Sequence, residues 1–232
     1  MPRKSRSERP HVTVNMAMSL DGKITTYRRE IMALGTEHDR RLMDELRAEA
    51  DAVIVGAGTV KHDGHPILMR YADLEEKRVQ SGRPAHPANV TMSRTLDLPS
   101  TRPFFRHPDT DKIVFTTKSA PPSRVARLSR LADVVVLPGR TISPGAVLEN
   151  LYRRNFRRVL LEGGGEVHFA FAKEGVIDDV YVTITPRLIG GSSAPTLLDG
   201  RGFLAADHIE LRLLSSRRIG DELYVKYRVV RD

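Results

Sequence analysis

The chain has 232 residues, enough for one large domain or two small ones, and 40% of them are apolar, which suits a packed core. It has no cysteine, which excludes disulfides and thiolate metal sites, and no run of 18 apolar residues that could span a bilayer. Its net charge is +8, but the opening "MPRKSRSERP" sets Arg3, Lys4, Arg6 and Arg9 against Glu8 alone, and the remaining basic charge is scattered among acids.

Residues 1–9 therefore read as a disordered basic tail, and residues 10–232 as a single domain. "HVTVNMAMSL" alternates around Val12, Val14 and Met16, predicting a strand over 11–18 that runs into a turn at Asp21-Gly22. "GTEHDRRLMDELRAEA" predicts a helix. Thr36 is its expected N-cap, with Asp39 three residues on, and Leu42, Met43 and Leu46 share one face. "DAVIVG" is a continuous apolar run stopped by glycine, the pattern of a central strand buried on both faces. The segment that follows, "VGAGTVKHDGHPIL", contains Gly56, Gly58, Thr59, Asp63 and Gly64.

Residues 70–88 are polar with two prolines and read as a surface excursion. "NVTM" and "KIVFTT" read as strands, "PPSRVARLSRL" as a helix opened by proline, "DVVVLP" as a strand and "SPGAVLENLYRRN" as a helix. "RRVLLEGGGEVHFAFAKEG" reads as strand, glycine turn and helix, with Gly175 as the stop. This alternation predicts a mostly parallel sheet. The end differs. "DDVYVTITP", "HIELRLLSSRRIG" and "ELYVKYRVV" are three strands without intervening helices, and Gly220-Asp221 marks a hairpin, so they should pair antiparallel.

Gly163, Gly164 and Gly165 stand together where a buried strand gives way to a helix. Each glycine costs conformational entropy on folding, so three in a row require a reason. Two remain open. Bare backbone lets helix pack closely on strand. It also lets a ligand phosphate approach the unpartnered N–H groups of the helix start. The spacing is not the dinucleotide pattern G-x-G-x-x-G, and no phosphate-loop lysine follows. Ligands of open α/β sheets bind beyond the C-terminal strand ends. Two glycine-rich exits and the "MSLDGK" loop could converge there on one cleft.

Three segments together resemble the pyrimidine reductase family of riboflavin biosynthesis: "MAMSLDGKI", "LRAEADAVIVGAGTVKHDGHPIL" and "LLEGGGEVHFAFAKEGVIDDVYVTITPRLIGG". The resemblance covers roughly residues 10 to 230. With no H-x-E and P-C-x-x-C pair, it is to the stand-alone reductase rather than to the form fused to a zinc deaminase. It implies an α/β, dihydrofolate-reductase-like fold, with a mostly parallel central sheet flanked by helices and a C-terminal antiparallel hairpin. It also implies a cytoplasmic homodimer that reduces a phosphorylated, ribosylamino-bearing pyrimidine with NADPH, with no nucleic-acid or membrane partner.

Carried over by position, Met18, Thr59, Asp63 and Ser93 would contact the cofactor. The loop from Gly163 through Gly164, Gly165, Glu166 and Val167 to His168 would hold its phosphates. Ser19, Arg47, Leu68 and Glu162 would bind the substrate, with Arg47 at its phosphate, and Asp63 would donate or orient the proton. Lys118 and Thr116 are candidates for the adenosine 2′-phosphate. Asp21 reads as a turn residue. His62, His65 and His168 do not have a metal-binding spacing, so no metal is expected. One departure bears on the substrate: Ala33 and Ile31 stand where the family often has tryptophan and serine. A dihydrofolate- or dihydropteridine-type reductase of the same fold is the alternative enzyme reading, and a basic nucleic-acid-binding protein the alternative outside enzymes.

Overall fold

The computed structural model describes residues 9–62 and 64–231. The elements follow in chain order as β1 (His11–Ser19), α1 (Glu37–Glu49), β2 (Ala52–Gly56), α2 (Ala57–His62), α3 (Ala72–Gln80), β3 (Ala88–Met92), α4 (Pro103–Arg106) and β4 (Lys112–Thr117). Then come α5 (Pro122–Leu128), β5 (Asp133–Leu137), α6 (Pro144–Arg153), β6 (Arg158–Leu161), α7 (Gly165–Lys173), β7 (Asp179–Thr185), β8 (Leu211–Ile219) and β9 (Glu222–Val229). All nine strands form one sheet in the order β5-β4-β3-β2-β6-β1-β7-β9-β8. Strands β1 to β7 are joined by parallel ladders. Only β9 runs against β7, and β8 against β9.

The unbroken apolar run of β2 is explained by its two faces. Ala52 and Ile54 belong to a core with Val147, Leu148 and Leu151 of α6 and Phe171 of α7. Val53 and Val55 belong to a second core with Val60 of α2, Phe104 and Phe105 of α4 and Leu128 of α5. Full burial of such a side chain contributes about 1.5–3 kcal/mol. Both cores together hold β2, β6 and β1 rigidly, and their C-terminal ends carry the candidate site.

Two expectations are corrected and one, the Thr36 cap, holds with a different partner. The segment 70–88 is not merely a surface excursion: it contains α3, whose Leu74 and Arg78 are buried. The Arg78 guanidinium is 1% exposed. It donates to the carbonyl oxygens of Arg47, Ala48 and Ala50 at the end of α1, and to Pro84 O. A helix C-terminus presents unpaired carbonyls and partial negative charge, so a buried cation is stabilised there. Burial pushes Arg78 down to about 10, which leaves it charged at neutral pH.

Thr36 is the N-cap of α1, but its side chain makes no capping bond. Its hydroxyl donates to Glu222 at 2.6 Å, and the same carboxylate takes the Thr36 N–H at 2.8 Å. Glu222 of β9 thus fixes the capping residue in place, out of reach of any local pattern.

Arg9 is not part of a free tail. It donates two hydrogen bonds, of 2.7 and 2.9 Å, to the buried Asp178 carboxylate. Arg231 reaches the same group at 2.8 Å. Residues 1–8 lie outside the described residues. Among the described residues, no helix is long and apolar enough to cross a membrane.

Candidate active site

Val14 of β1 and Ile54 of β2 both stand in register with Leu161, the last residue of β6, so β6 stops short between two strands that run on to Ser19 and Gly56. The next residue, Glu162, donates its N–H to Ile54 O at 3.1 Å, which fixes where its side chain leaves the sheet.

The three glycines then serve different ends. A Cβ on Gly163 would lie 2.3 Å from Gly56 N, and one on Gly165 would lie 2.5 Å from Thr196 O. These two are glycine because backbone packs against them. Gly164, the N-cap of α7, would meet nothing within 4 Å. Of the three, it alone leaves room for a ligand. Glu166 is exposed and Val167 half-buried, with Val167 Cγ2 lying 3.3 Å from where a Gly56 Cβ would be. His168 departs from the expected cofactor loop. It is 0% exposed, and its Nδ1 bonds Leu197 O at 2.9 Å. Burial pushes its pKa below the usual histidine range, so it is a neutral core residue.

Arg47, Leu68 and Glu162 meet. Arg47 Nε and Nη2 each donate to one Glu162 oxygen at 2.7 Å. Nη1 donates to Asp44 at 3.0 Å and to Leu68 O at 3.1 Å, and Nη2 also faces Met43 Sδ at 3.5 Å. Burial alone would lower the Arg47 pKa, but Glu162 and Asp44 outweigh it and raise it. Asp44 is 0% exposed and also takes the backbone N–H and guanidinium of Arg70. In this arrangement the donors of Arg47 meet Glu162, Asp44 and Leu68 O.

Ser19 does not join this group. Its side chain is fully buried, donating to Asp21 at 2.6 Å and accepting from Lys23 N–H at 2.9 Å. Asp21 also takes the N–H groups of Ile189 and Gly190. The Ser19 hydroxyl and these backbone bonds lower it to about 2. It thus ties the loop after β1 to the loop after β7, beyond a simple turn with Gly22. A cavity of about 500 Å³ lies between these loops, lined by Thr26, Tyr27, Arg28, Glu30, Ile189, Gly190 and Gly191, and no expected site residue lines it. Ile31 is 75% exposed on the first loop, and Ala33 O accepts from Arg187.

Met18 is half-buried against the core at the end of β1, and Thr59 is half-buried on α2. Ser93 follows β3, 6% exposed, its N–H on Phe115 O at 2.9 Å. Thr116 is 0% exposed, with its hydroxyl turned to Arg94 O at 3.4 Å, so it is no phosphate ligand; Lys118 is exposed. Asp63 lies outside the described residues. Sequence reading missed Asp44 and Arg70. The three-residue spacing of Asp44 and Arg47 on one helix was the available signal.

The family model described as the RibD C-terminal domain matches residues 10–225. The chain belongs to the RibD C-terminal domain family. A 2,5-diamino-6-ribosylamino-4(3H)-pyrimidinone 5′-phosphate reductase of Methanothermobacter thermautotrophicus is 36% identical, over 95% of this chain and 99% of its own length. The protein of the same name from Archaeoglobus fulgidus is 34% identical, over 95% of this chain and 98% of its own. The crystal structure of a pyrimidine reductase-like protein from Corynebacterium diphtheriae superposes with a TM-score of 0.83 over 97% of this chain and 94% of that one, at 22% identity, a likeness of fold. In this RibD C-terminal domain, the match spans β1 to the first half of β9, the whole platform on which Glu162 and Gly164 sit.

Proposed function

We propose that the chain is a cytoplasmic, NADPH-dependent reductase of riboflavin biosynthesis acting on 2,5-diamino-6-ribosylamino-4(3H)-pyrimidinone 5′-phosphate. The names of the two archaeal relatives support that substrate, and with it an order in which reduction precedes deamination. The observation that carries the reading is the adjacency of two features on one turn of chain. A carboxylate, Glu162, is presented at the end of β6, and two residues later Gly164 opens the start of α7.

The residues fit both ligands. The Glu162 carboxylate accepts hydrogen bonds, and a diaminopyrimidinone offers amino and ring N–H donors. The start of α7 has N–H groups without intrahelical acceptors and partial positive charge, beside a Gly164 that leaves open space. That suits a pyrophosphate. When bound, NADPH supplies the hydride that reduces the opened ribose imine. Met18 and Thr59 border the nicotinamide end, and Ser93 the adenosine end. The exposed Arg94 and Lys118, at the ends of β3 and β4, attract the 2′-phosphate. Arg70 is 39% exposed beside Asp44 and is the cation offered to the substrate's phosphate. The chain's contribution is to orient the imine carbon within about 3–3.5 Å of the hydride donor.

The test is NADPH oxidation with this pyrimidine, with NADH and with dihydropteridines as controls. Turnover is expected only with the pyrimidine, and with strong preference for NADPH. Turnover of a dihydropteridine alone would reject the reading.

The working form is a homodimer. In support, β8 is an edge strand with Leu211, Leu213 and Leu214 exposed by 43, 51 and 39%. An uncovered apolar edge invites a partner. Light scattering should give twice the chain mass, and Leu213→Asp should return monomer; a monomeric wild type rejects the dimer.

A further inference from the structure

Leu96, in the loop that leaves β3, has a φ of 49° and is 0% exposed. A bulky side chain rarely takes this left-handed backbone, and such strain persists only where the surroundings enforce it, as they do at ligand clamps. We propose that Arg124 and Arg127 of α5 are positioning residues, which hold this loop so that Arg94 is presented to the 2′-phosphate of NADPH. The inference rests on the reductase reading above.

Three observations carry it. The first is what enforces the strain. Leu96 and Leu98 are buried in the second core with Leu128 of α5. On the outer side, Arg124 Nη1 donates to Thr95 O at 3.1 Å. Arg127 Nη2 donates to Leu98 O at 3.1 Å and faces Leu96 O at 3.5 Å. Lys61 and Arg124 flank the Asp97 carboxylate at 2.7 and 3.8 Å. Solvent could satisfy these carbonyls in any direction. Two guanidinium groups fix the direction, and with it the left-handed turn.

The second is what the turn does to the residues before it. Ser93 N–H bonds Phe115 O at 2.9 Å, and Arg94 O accepts from the buried Thr116 hydroxyl at 3.4 Å. The backbone of Arg94 is thus tied to β4 on one side and, through Thr95, to α5 on the other. Its side chain is exposed, and its guanidinium has no hydrogen bond or ion pair among the described residues. A planar fork of donors on a fixed backbone suits a phosphate.

The third is the line of strand exits. The sheet runs β4-β3-β2-β6, with Gly56 in register with Met92 and Met92 with Phe115. The exits therefore follow one another from Gly164 past Gly56 to Arg94 and Lys118. At a spacing of about 4.8 Å per strand, the exit of β3 stands roughly 10 Å from that of β6. A dinucleotide with its pyrophosphate at Gly164 and its adenosine across β2 brings its 2′-phosphate to Arg94.

Calorimetry with NADPH, NADH and adenosine 2′,5′-bisphosphate tests the inference on wild type, Arg94→Met, Arg124→Met, Arg127→Met, Arg127→Lys and the Arg94→Met/Arg127→Met double variant. Arg130→Met, which removes an exposed charge just past α5, is the control. Thermal melts check folding, and turnover gives KM for NADPH and for the pyrimidine. Arg124→Met and Arg127→Met should each weaken NADPH and the bisphosphate at least about tenfold, the scale of one charge-assisted contact, and leave NADH unchanged. KM for NADPH should rise by the same factor, and KM for the pyrimidine should not. The double variant should be no weaker than Arg94→Met alone, because Arg127 acts through Arg94. Arg127→Lys should recover part of the loss, and it carries the same comparison if the methionine variant does not fold. Arg130→Met should bind as wild type does. Equal losses of NADPH and NADH would reduce the two arginines to supports of the fold and overturn the inference. So would penalties that multiply in the double variant, an equal loss in Arg130→Met, or a wild type that binds NADH as tightly as NADPH. If the wild type bound neither dinucleotide and did not reduce the pyrimidine, the reductase reading itself would fall, and the inference with it.

Discussion

A β-carbon added to Gly163 would lie 2.3 Å from the backbone nitrogen of Gly56, whereas one added to Gly164 would meet nothing within 4 Å. The two positions should therefore separate folding from binding. Gly163→Ala forces two strand exits apart and should cost about 1–3 kcal/mol, as overpacking does. At roughly 2–4 °C per kcal/mol for a chain of this size, the melt should fall visibly. Gly164→Val should harm binding more than folding, with NADPH weakened at least tenfold, which corresponds to about 1.4 kcal/mol. A melt and a cofactor titration on each variant check both outcomes. The glycine run was legible in sequence as an exit from a buried strand. Which glycine does what was not, because the atoms that crowd Gly163 and Gly165 belong to β2 and to the loop at Thr196–Asp199. Arg47 is a similar case. Its helix was legible from the apolar spacing, but its partner Glu162 lies 115 residues away.

At the scale of elements, α1 is held at both ends by residues from elsewhere: Glu222 takes the N–H and hydroxyl of Thr36 at one end, and Arg78 takes three carbonyls at the other. Arg78→Met keeps the apolar stem and removes every donor. The expected cost is at least about 2 kcal/mol, since buried carbonyls lose a charged partner. Urea denaturation should show a lower midpoint with an unchanged slope. The parallel strands and most helices were readable from their periodicity. Helix α3 was not, because its sequence "ADLEEKRVQ" buries one leucine and one arginine, and an inward-facing arginine mimics a solvated surface. The three final strands were readable too, but not the exposure of β8, whose Leu211, Leu213 and Leu214 lie on the surface.

For the molecule as a whole, acid sensitivity should draw on the carboxylate pair Asp178 and Asp179. Burial alone would raise Asp178, but hydrogen bonds from Arg9 and the Val12 N–H, with the charges of Arg9 and Arg231, outweigh it and hold its pKa below the usual range. Asp179 is likewise held low against burial by Arg228 and His11. A carboxylate with a depressed folded pKa contributes stability above its unfolded pKa of about 3.9, and that contribution is lost as pH falls through the folded value. Thermal melts should therefore drop below about pH 4, and Asp178→Asn should be less stable at pH 7 with a shallower acid loss. Removing residues 1–8 should leave the pH 7 melt unchanged, whereas removing Arg9 as well should lower it. None of this clamp was legible in sequence, because Arg9 and Asp178 are 169 residues apart.

Because Arg9 and Arg231 both bond the Asp178 carboxylate, at 2.7 and 2.8 Å, the polypeptide returns to where it started. Its path is close to a ring, and the break in that ring is arbitrary. A circular permutant joined by a short linker from Arg231 to Arg9, and reopened in the exposed turn between Ala205 and Ala206, would keep every ladder of the sheet and every side chain of the Arg47–Glu162 chain. Order along the gene and order in space are separable here, because Arg9 and Arg231 meet on one carboxylate.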